Sequence, residues 1–290
     1  MSTRRLLVIL TLCGAVGLPG CSSGGETAAE RAPSAAEGGD ARAGLEHIHG
    51  LGVDPGDGTL FLATHNGLYS AEEGERRVEP VSEVGQDIMG FSVVAPGRFI
   101  GSGHPAPTQD LPPHLGLIES RDGGRSWVSV SLLGEADFHV LRSSGRRVYG
   151  FDGTQGRLMV SSSGGRDWQQ RRPPAAMFDL AIASRDPDQI VVSTERGLFT
   201  STDAGRRWRP LSSALAGLLA WPEDGLYLVG GDGTVQRSSD GGETFERVGQ
   251  VTGAPSALTA AGDALYVALG NGTVVRSDDG GRTWAVRATP

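Results

Sequence analysis

The octapeptide "SDDGGRTW", Ser277 to Trp284, decides the fold, because the chain writes it several times over. It returns as "SRDGGRSW" (Ser120 to Trp127), "STDAGRRW" (Ser201 to Trp208) and "SSDGGETF" (Ser238 to Phe245). A weaker copy, "SSSGGRDW" (Ser161 to Trp168), has Ser163 where the aspartate belongs. The weakest, "SAEEGERR" (Ser70 to Arg77), keeps a carboxylate at Glu72 and the glycine at Gly74. The copies recur about every 40 residues, the length of one four-stranded propeller blade. Between them lie short apolar runs bounded by glycine, which read as strands and tight turns. In the fourth unit these are "FDLAIAS", "QIVVST", "GLFTS" and "RWRPLSS"; in the sixth, "SALTAAG", "ALYVAL", "TVVRS" and "TWAVRA". The expectation is an all-β, six-bladed β-propeller over residues 45–290, with no residues left over for a seventh blade.

The octapeptide has a structural explanation. Its serine hydroxyl and aspartate carboxylate accept backbone N–H groups across a hairpin turn, glycine supplies a positive φ, and the aromatic covers the blade edge. Asp122, Asp203, Asp240 and Asp279 are therefore scaffold residues. Four of the five tryptophans stand at the motif's last position. The copies resemble the Asp-box (BNR) repeat of sialidases and related propellers. The resemblance covers essentially residues 45–290, and the chain as a whole looks like the sialidase-like "glycosyl hydrolase" lipoproteins of high-G+C bacteria.

The amino terminus reads as an export segment. Arg4 and Arg5 precede the short apolar run "LLVILTLCGAVGLPG", which fits a signal peptide over residues 1–20 better than a membrane-spanning helix. It ends in "LPGC", which resembles a bacterial lipobox and so implies lipidation of Cys21. Residues 21–44 are then a lipidated cysteine and a flexible linker rich in Ala, Gly, Ser and Glu. The expected location is the extracytoplasmic face of the cell membrane, with the lipid as anchor. With Cys13 removed, Cys21 is the only cysteine left and no intrachain disulfide can form. The net charge of −8 lacks the basic footprint that nucleic-acid binding needs.

The six histidines are unevenly placed. In a propeller, strand A of each blade lines the channel, and the D-to-A and B-to-C connections open on the face opposite the Asp-boxes. His47 and His49 begin strand A of blade 1, and His139 that of blade 3. His65 falls in the B-to-C loop of blade 1. His104 and His114 fall in the long B-to-C loop of blade 2, "GSGHPAPTQDLPPHLG". All six therefore belong to one face. The strand A entries read "HIHGLG", "DIMGFS", "DFHVLR" and "MFDLAI". Alternation places Ile48, Ile88, Phe138 and Phe178 in the blade packing. The flanking pairs His47/His49, Asp87/Met89, Asp137/His139 and Met177/Asp179 then face the channel mouth of blades 1–4. Imidazole with carboxylate suits zinc, and thioether beside imidazole suits copper. His47, His49, His65, Met89, His104, Asp137, His139 and Asp179 are the candidate ligands of one such ion. The other reading of the ring is a polar channel wall that holds ordered water.

Two further functions compete with metal binding. A sialidase-like glycoside hydrolase is implied by the resemblance, but that family needs three arginines gripping the substrate carboxylate and a tyrosine nucleophile. Only Arg157 and Arg196 fall on the mouth face, with Arg142 lower in blade 3. Tyr69, Tyr149, Tyr227 and Tyr266 sit within apolar strands. For a different glycosidase the candidate carboxylates are Asp87, Glu135, Asp137 and Asp179. The third function is a protein-assembly scaffold, since Asp-box propellers also resemble the photosystem-assembly and sortilin-type propellers that bind proteins. The proline-rich stretch "PAPTQDLPPH" (Pro105 to His114) over the mouth suits that work. Metal, glycan and protein are thus the three classes of ligand expected.

Overall fold

The computed structural model describes Leu45 and residues 47–290, all within one compact unit, Gly39–Pro290. The export segment, Cys21 and the linker lie outside the described residues. Six antiparallel four-stranded sheets follow one another in chain order, each strand pairing with its sequence neighbours. The innermost strands are Ile48–Val53, Asp87–Ala95, Phe138–Ser144, Met177–Ala183, Leu218–Ala220 and Pro255–Ala261. Each packs against the next, and the sixth packs against the first, so the ring closes. This is the six-bladed propeller that the repeat predicts. Blade 6 keeps its own outer strand, Ala285–Ala288, so among the described residues no strand is exchanged between the first and last blades.

Adjacent blades are held together by apolar clusters at their interfaces. Between blades 1 and 2, Phe61, Ala63 and Leu68 meet Ile88, Phe91 and Phe99, with Trp127 against them. Tyr149 and Val160 of blade 3 meet Leu180 and Val192 of blade 4 in the same way. Each of the larger aliphatic and phenyl side chains contributes about 1.5–3 kcal/mol when fully withdrawn from water. Ring closure adds a polar clamp. Arg287, 7% exposed, donates to the carbonyls of Ala71, Glu72 and Glu75 at 3.1, 2.9 and 2.7 Å. Arg77 and Thr289 form a parallel bridge beside it.

The Asp-boxes form as their sequence implies. In blade 2 the Gly124 N–H donates to Ser120 Oγ at 2.8 Å, and the Ser126 N–H donates to Asp122 Oδ1 at 2.9 Å. The same pair of bonds recurs at Ser201/Asp203, Ser238/Asp240 and Ser277/Asp279. In blade 3 the Ser163 hydroxyl takes the carboxylate's part, accepting from the Asp167 N–H at 2.8 Å. The box aspartates are thus fully engaged as turn acceptors.

Candidate metal centre

The innermost strands share an irregularity that aims side chains at the mouth. In five of the six, one residue near the start has no partner on the neighbouring strand. In blade 1 Ile48 pairs with Thr64 and Gly50 with Ala63, leaving His49 over. Met89, His139, Phe178 and Ser256 are left over in blades 2, 3, 4 and 6. These are β-bulges, which bend the strand and re-aim the extra side chain. Strict alternation fails there. Ile48, Ile88 and Phe138 are buried as expected, but Phe178 is 56% exposed. The bulge aligns Phe178 with His139, not with Phe138, so the expected inward placement of Phe178 is wrong by one residue.

The same shift removes Asp179 from the mouth. It is 2% exposed and accepts the N–H groups of Leu180 and Leu219 at 2.8 and 2.9 Å, while Arg142 pairs with it at 2.7 Å. Burial pushes its carboxyl upward, against the pull of Arg142 and the two N–H groups. Asp179 straps blades 3, 4 and 5 together and is not available to an ion or a substrate.

The other residues converge. All six histidines and two aspartates form one continuous chain of contacts. The His65 ring lies edge-on to His47 and His49, with centroids at 5.3 and 4.2 Å. His65 Nδ1 is 3.0 Å from Asp87 Oδ1, and His104 Nδ1 is 3.0 Å from Asp87 Oδ2. His104 Nε2 then faces Asp137 Oδ2 at 3.5 Å, where His114 Nδ1 and His139 Nε2 also point, at 4.0 and 2.9 Å. Thr154 adds its hydroxyl to that oxygen at 3.3 Å. Gly153 leaves the space the His139 ring occupies, since a Cβ there would stand 2.7 Å from Nδ1.

Within this cluster two sets of three offer ligand atoms within 4.8 Å of one another: His49, His65 and Asp87, and His104, His114 and Asp137. Several of the atoms are buried without a hydrogen-bond partner, namely His49 Nε2, His114 Nδ1 and Asp137 Oδ1. An unpaired buried polar atom costs about 1–3 kcal/mol, and an ion in contact with it removes that cost. Burial, reinforced by repulsion from His65, holds the His49 imidazole down at about 4, so it is neutral near neutral pH with a lone pair to give. Burial opposes ionisation of Asp137, yet the hydrogen bond from His139 and the neighbouring histidines outweigh it and keep the carboxyl below its ordinary value. The His139 imidazole is raised by the same hydrogen bond.

Met89 stands half-buried at the blade 2 bulge. Asp87 and His114, absent from the expected ligand set, belong to the two triads. His114 is visible in the sequence only as a histidine in a long loop, and its approach to Asp137 depends on how that loop folds. Thr154 carries no signal, being an ordinary turn residue in sequence. Glu135 is exposed; its main-chain carbonyl accepts from Gln155 and Arg157, and its N–H donates to the Leu132 carbonyl. A cavity of 850 Å³ follows the axis toward the box face, bordered by Leu51, Phe91, Ser143 and Leu180; no histidine borders it.

The arginine and tyrosine set of a sialidase is not assembled. Arg157 pairs with buried Asp152 at 3.0 Å, and Arg142 with Asp179. The Tyr149 hydroxyl donates to the Pro187 carbonyl, and Tyr227, pushed up to about 12 by burial and by Asp224, bonds that carboxylate.

The chain matches no known sequence family and no curated protein. Its fold has known counterparts. YCF48, in a structure with a bound D1 peptide, is similar with a TM-score of 0.53 at 17% identity, over 84% of this chain and 82% of that one. The GH74 xyloglucanase of Xanthomonas campestris gives 0.55 at 16% identity, over 83% of this chain and 45% of the enzyme. An ancestral GH74 enzyme gives 0.52 at 12%, over 83% and 38%. This chain thus spans less than half the length of either GH74 protein. The likeness is one of propeller fold alone.

Proposed function

We propose that this protein is a binding protein for a transition-metal ion, zinc or copper, held by the histidine–aspartate cluster at the channel mouth of blades 1–3. The observation that carries the reading is the convergence of five histidines on two aspartates, with His47 against the His65 ring and buried ring nitrogens left unpaired. Imidazole and carboxylate are zinc ligands, and the neighbouring Met89 thioether makes copper the alternative. The decisive experiment is elemental analysis of purified protein after loading with zinc or copper and desalting. At least one ion should be retained by the wild type, and the His49→Ala/His139→Ala double variant should retain less. Wild-type protein that keeps no ion overturns the reading.

The amino-terminal sequence extends the proposal to location: an exported lipoprotein whose lipidated Cys21 tethers the propeller outside the cytoplasm. Cys21→Ser should then move it from the membrane fraction to the soluble one.

A protein partner is the second reading. Of the large apolar side chains that stay exposed, Val84, Leu111, Leu133 and Phe178 all belong to mouth-face connections or the blade 4 bulge. YCF48 holds a D1 peptide, so a propeller of this architecture is compatible with a peptide partner. Deleting residues 105–113 should abolish capture of such a partner while leaving the other histidines in place. Glycoside hydrolysis has less support, because Asp179 is sequestered and Asp87 and Asp137 are engaged by histidines.

A further inference from the structure

The geometry points to two ions at the mouth, in adjoining sites separated by the His104 ring, the second of which fastens the proline-rich connection of blade 2. This rests on the metal-binding reading above and goes beyond it in number and consequence. The first site is His49, His65 and Asp87, supplied by strand A and the B-to-C loop of blade 1 and by strand A of blade 2. The second is His104, His114 and Asp137, with His139 Nε2 already 2.9 Å from the same Asp137 oxygen. The two sets share no residue.

One ion cannot serve both. Asp87 meets His104 at Nδ1, whereas Asp137 meets it at Nε2, on the far side of the ring. The imidazole therefore stands between the two carboxylates as a spacer. His104 Nδ1 lies 3.0 Å from Asp87 Oδ2, and its Nε2 is turned toward the Asp137 carboxylate at 3.5 Å. A metal ion seated between Nε2 and that carboxylate would be held by both, with His114 as the third ligand. A carboxylate that fixes the outer nitrogen of a histidine while the inner one binds metal is a recurring arrangement in metal sites. Asp87 does this for His104 through Oδ2 and meets His65 through Oδ1, so one carboxylate orients an imidazole of each site. Asp137 is 4% exposed and its Oδ1 has no partner, as expected of a ligand awaiting charge.

The second site also closes a loop. His104 ends strand B of blade 2, and His114 lies across the stretch 105–113 from it. The Leu115 N–H bonds the Gly103 carbonyl, and the Gly134 N–H bonds the His114 carbonyl, so the base of the loop is already set. An ion shared by both histidines and Asp137 pins the remaining arc to blade 3.

The test is a zinc titration of the whole protein, read by isothermal calorimetry and by elemental analysis, with hydrogen exchange followed at Thr108 to Leu111. The wild type should take up two equivalents, and exchange in the loop should slow on saturation. His49→Ala/His65→Ala should keep one equivalent and the slowed exchange. His104→Ala/His114→Ala should keep one equivalent and lose the slowing. A single wild-type equivalent that both variants abolish overturns the two-site inference and leaves metal binding standing. No bound zinc in the wild type overturns both. Circular dichroism checks that the variants fold; if one does not, wild-type stoichiometry alone decides, and one equivalent refutes the inference.

Discussion

Removing the Arg287 guanidinium should open the ring where its ends meet. The side chain sits in the outermost strand of blade 6 and reaches three carbonyls of blade 1, with Glu73 Oε2 at 3.3 Å as a fourth acceptor. Hydrogen bonds to a charged group contribute about 1.5–3 kcal/mol each, but they are not additive when one group makes them all. Glu73 is half-exposed and adds less than about 1 kcal/mol. Glu72 and Glu75 regain water on truncation, while Ala71, 2% exposed, does not. Arg287→Ala should therefore cost about 3 kcal/mol, which for a domain this size lowers the melting temperature by about 6–12 °C. Arg98→Ala is the control: Arg98 is half-exposed, and its buried partner Glu119 keeps Arg121 at 2.8 Å when Arg98 is removed, so the loss should be about 1 kcal/mol. Differential scanning calorimetry on the two variants decides. An Arg287→Ala melting temperature within about 2 °C of the Arg98→Ala value refutes the clamp. Arg287→Lys should recover only part of the loss, since an ammonium cannot span carbonyls in a planar fork.

Other consequences of the fold are equally open to measurement. Hydrogen bonds from the Ser126 hydroxyl and from Arg207 hold the Asp122 and Asp203 carboxyls at about 2, and Thr244 and Thr283 hold Asp240 and Asp279 below the usual range. A depressed carboxylate stabilises the fold above its unfolded pKa of about 4 and loses that contribution as pH falls toward 2. Urea midpoints should therefore drop between pH 4 and 2, and the drop should flatten when all four are changed to Asn. Gly242→Ala should cost about 2–4 kcal/mol, because its φ is +97° and the new Cβ would stand 2.8 Å from Leu211 Cδ1. Gly241→Ala should cost only about 1 kcal/mol: nothing lies within 3.4 Å, and blade 4 already carries Ala204 there at φ 56°. Equal urea midpoints for those two variants would refute the packing argument. Asp179→Ala should cost about 3–5 kcal/mol by stranding Arg142, yet leave zinc stoichiometry unchanged; loss of zinc from a folded variant would return Asp179 to the site.

The architecture is legible in the sequence because it is repeated. Six copies of one turn motif fix the blade length, and the blade length fixes the number of blades. The face carrying the histidines follows from the same register, since the boxes mark the opposite one. The arrangement within that face is not legible, for a physical reason. Reading side-chain direction from alternation assumes an unbroken ladder, and five of the six inner strands break it with a bulge. Nothing in "MFDLAI" distinguishes a bulge at Phe178 from a regular strand, so alternation turns Asp179 toward the mouth when it lies buried against Arg142. The clamp at Arg287 is equally hidden, because its partners are main-chain carbonyls, which every sequence has.

The bulges also explain why a repeated scaffold yields a localised site. They turn the same strand position toward the mouth in five blades, and what stands there differs: histidine in blades 1 and 3, methionine in 2, phenylalanine in 4 and serine in 6. The backbone device is common to most of the ring, but only three consecutive blades supply ligand-type side chains from it. Those are also the blades whose B-to-C connections contribute His65, His114 and Thr154, with His104 at the end of strand B of blade 2. Blade 4, where the bulge offers an exposed phenyl ring and the next carboxylate is buried, marks the edge of the cluster. Substituting histidine at Phe178 would therefore extend the row at the mouth without disturbing the blade, whereas substituting phenylalanine at His139 would take from Asp137 its shortest histidine contact.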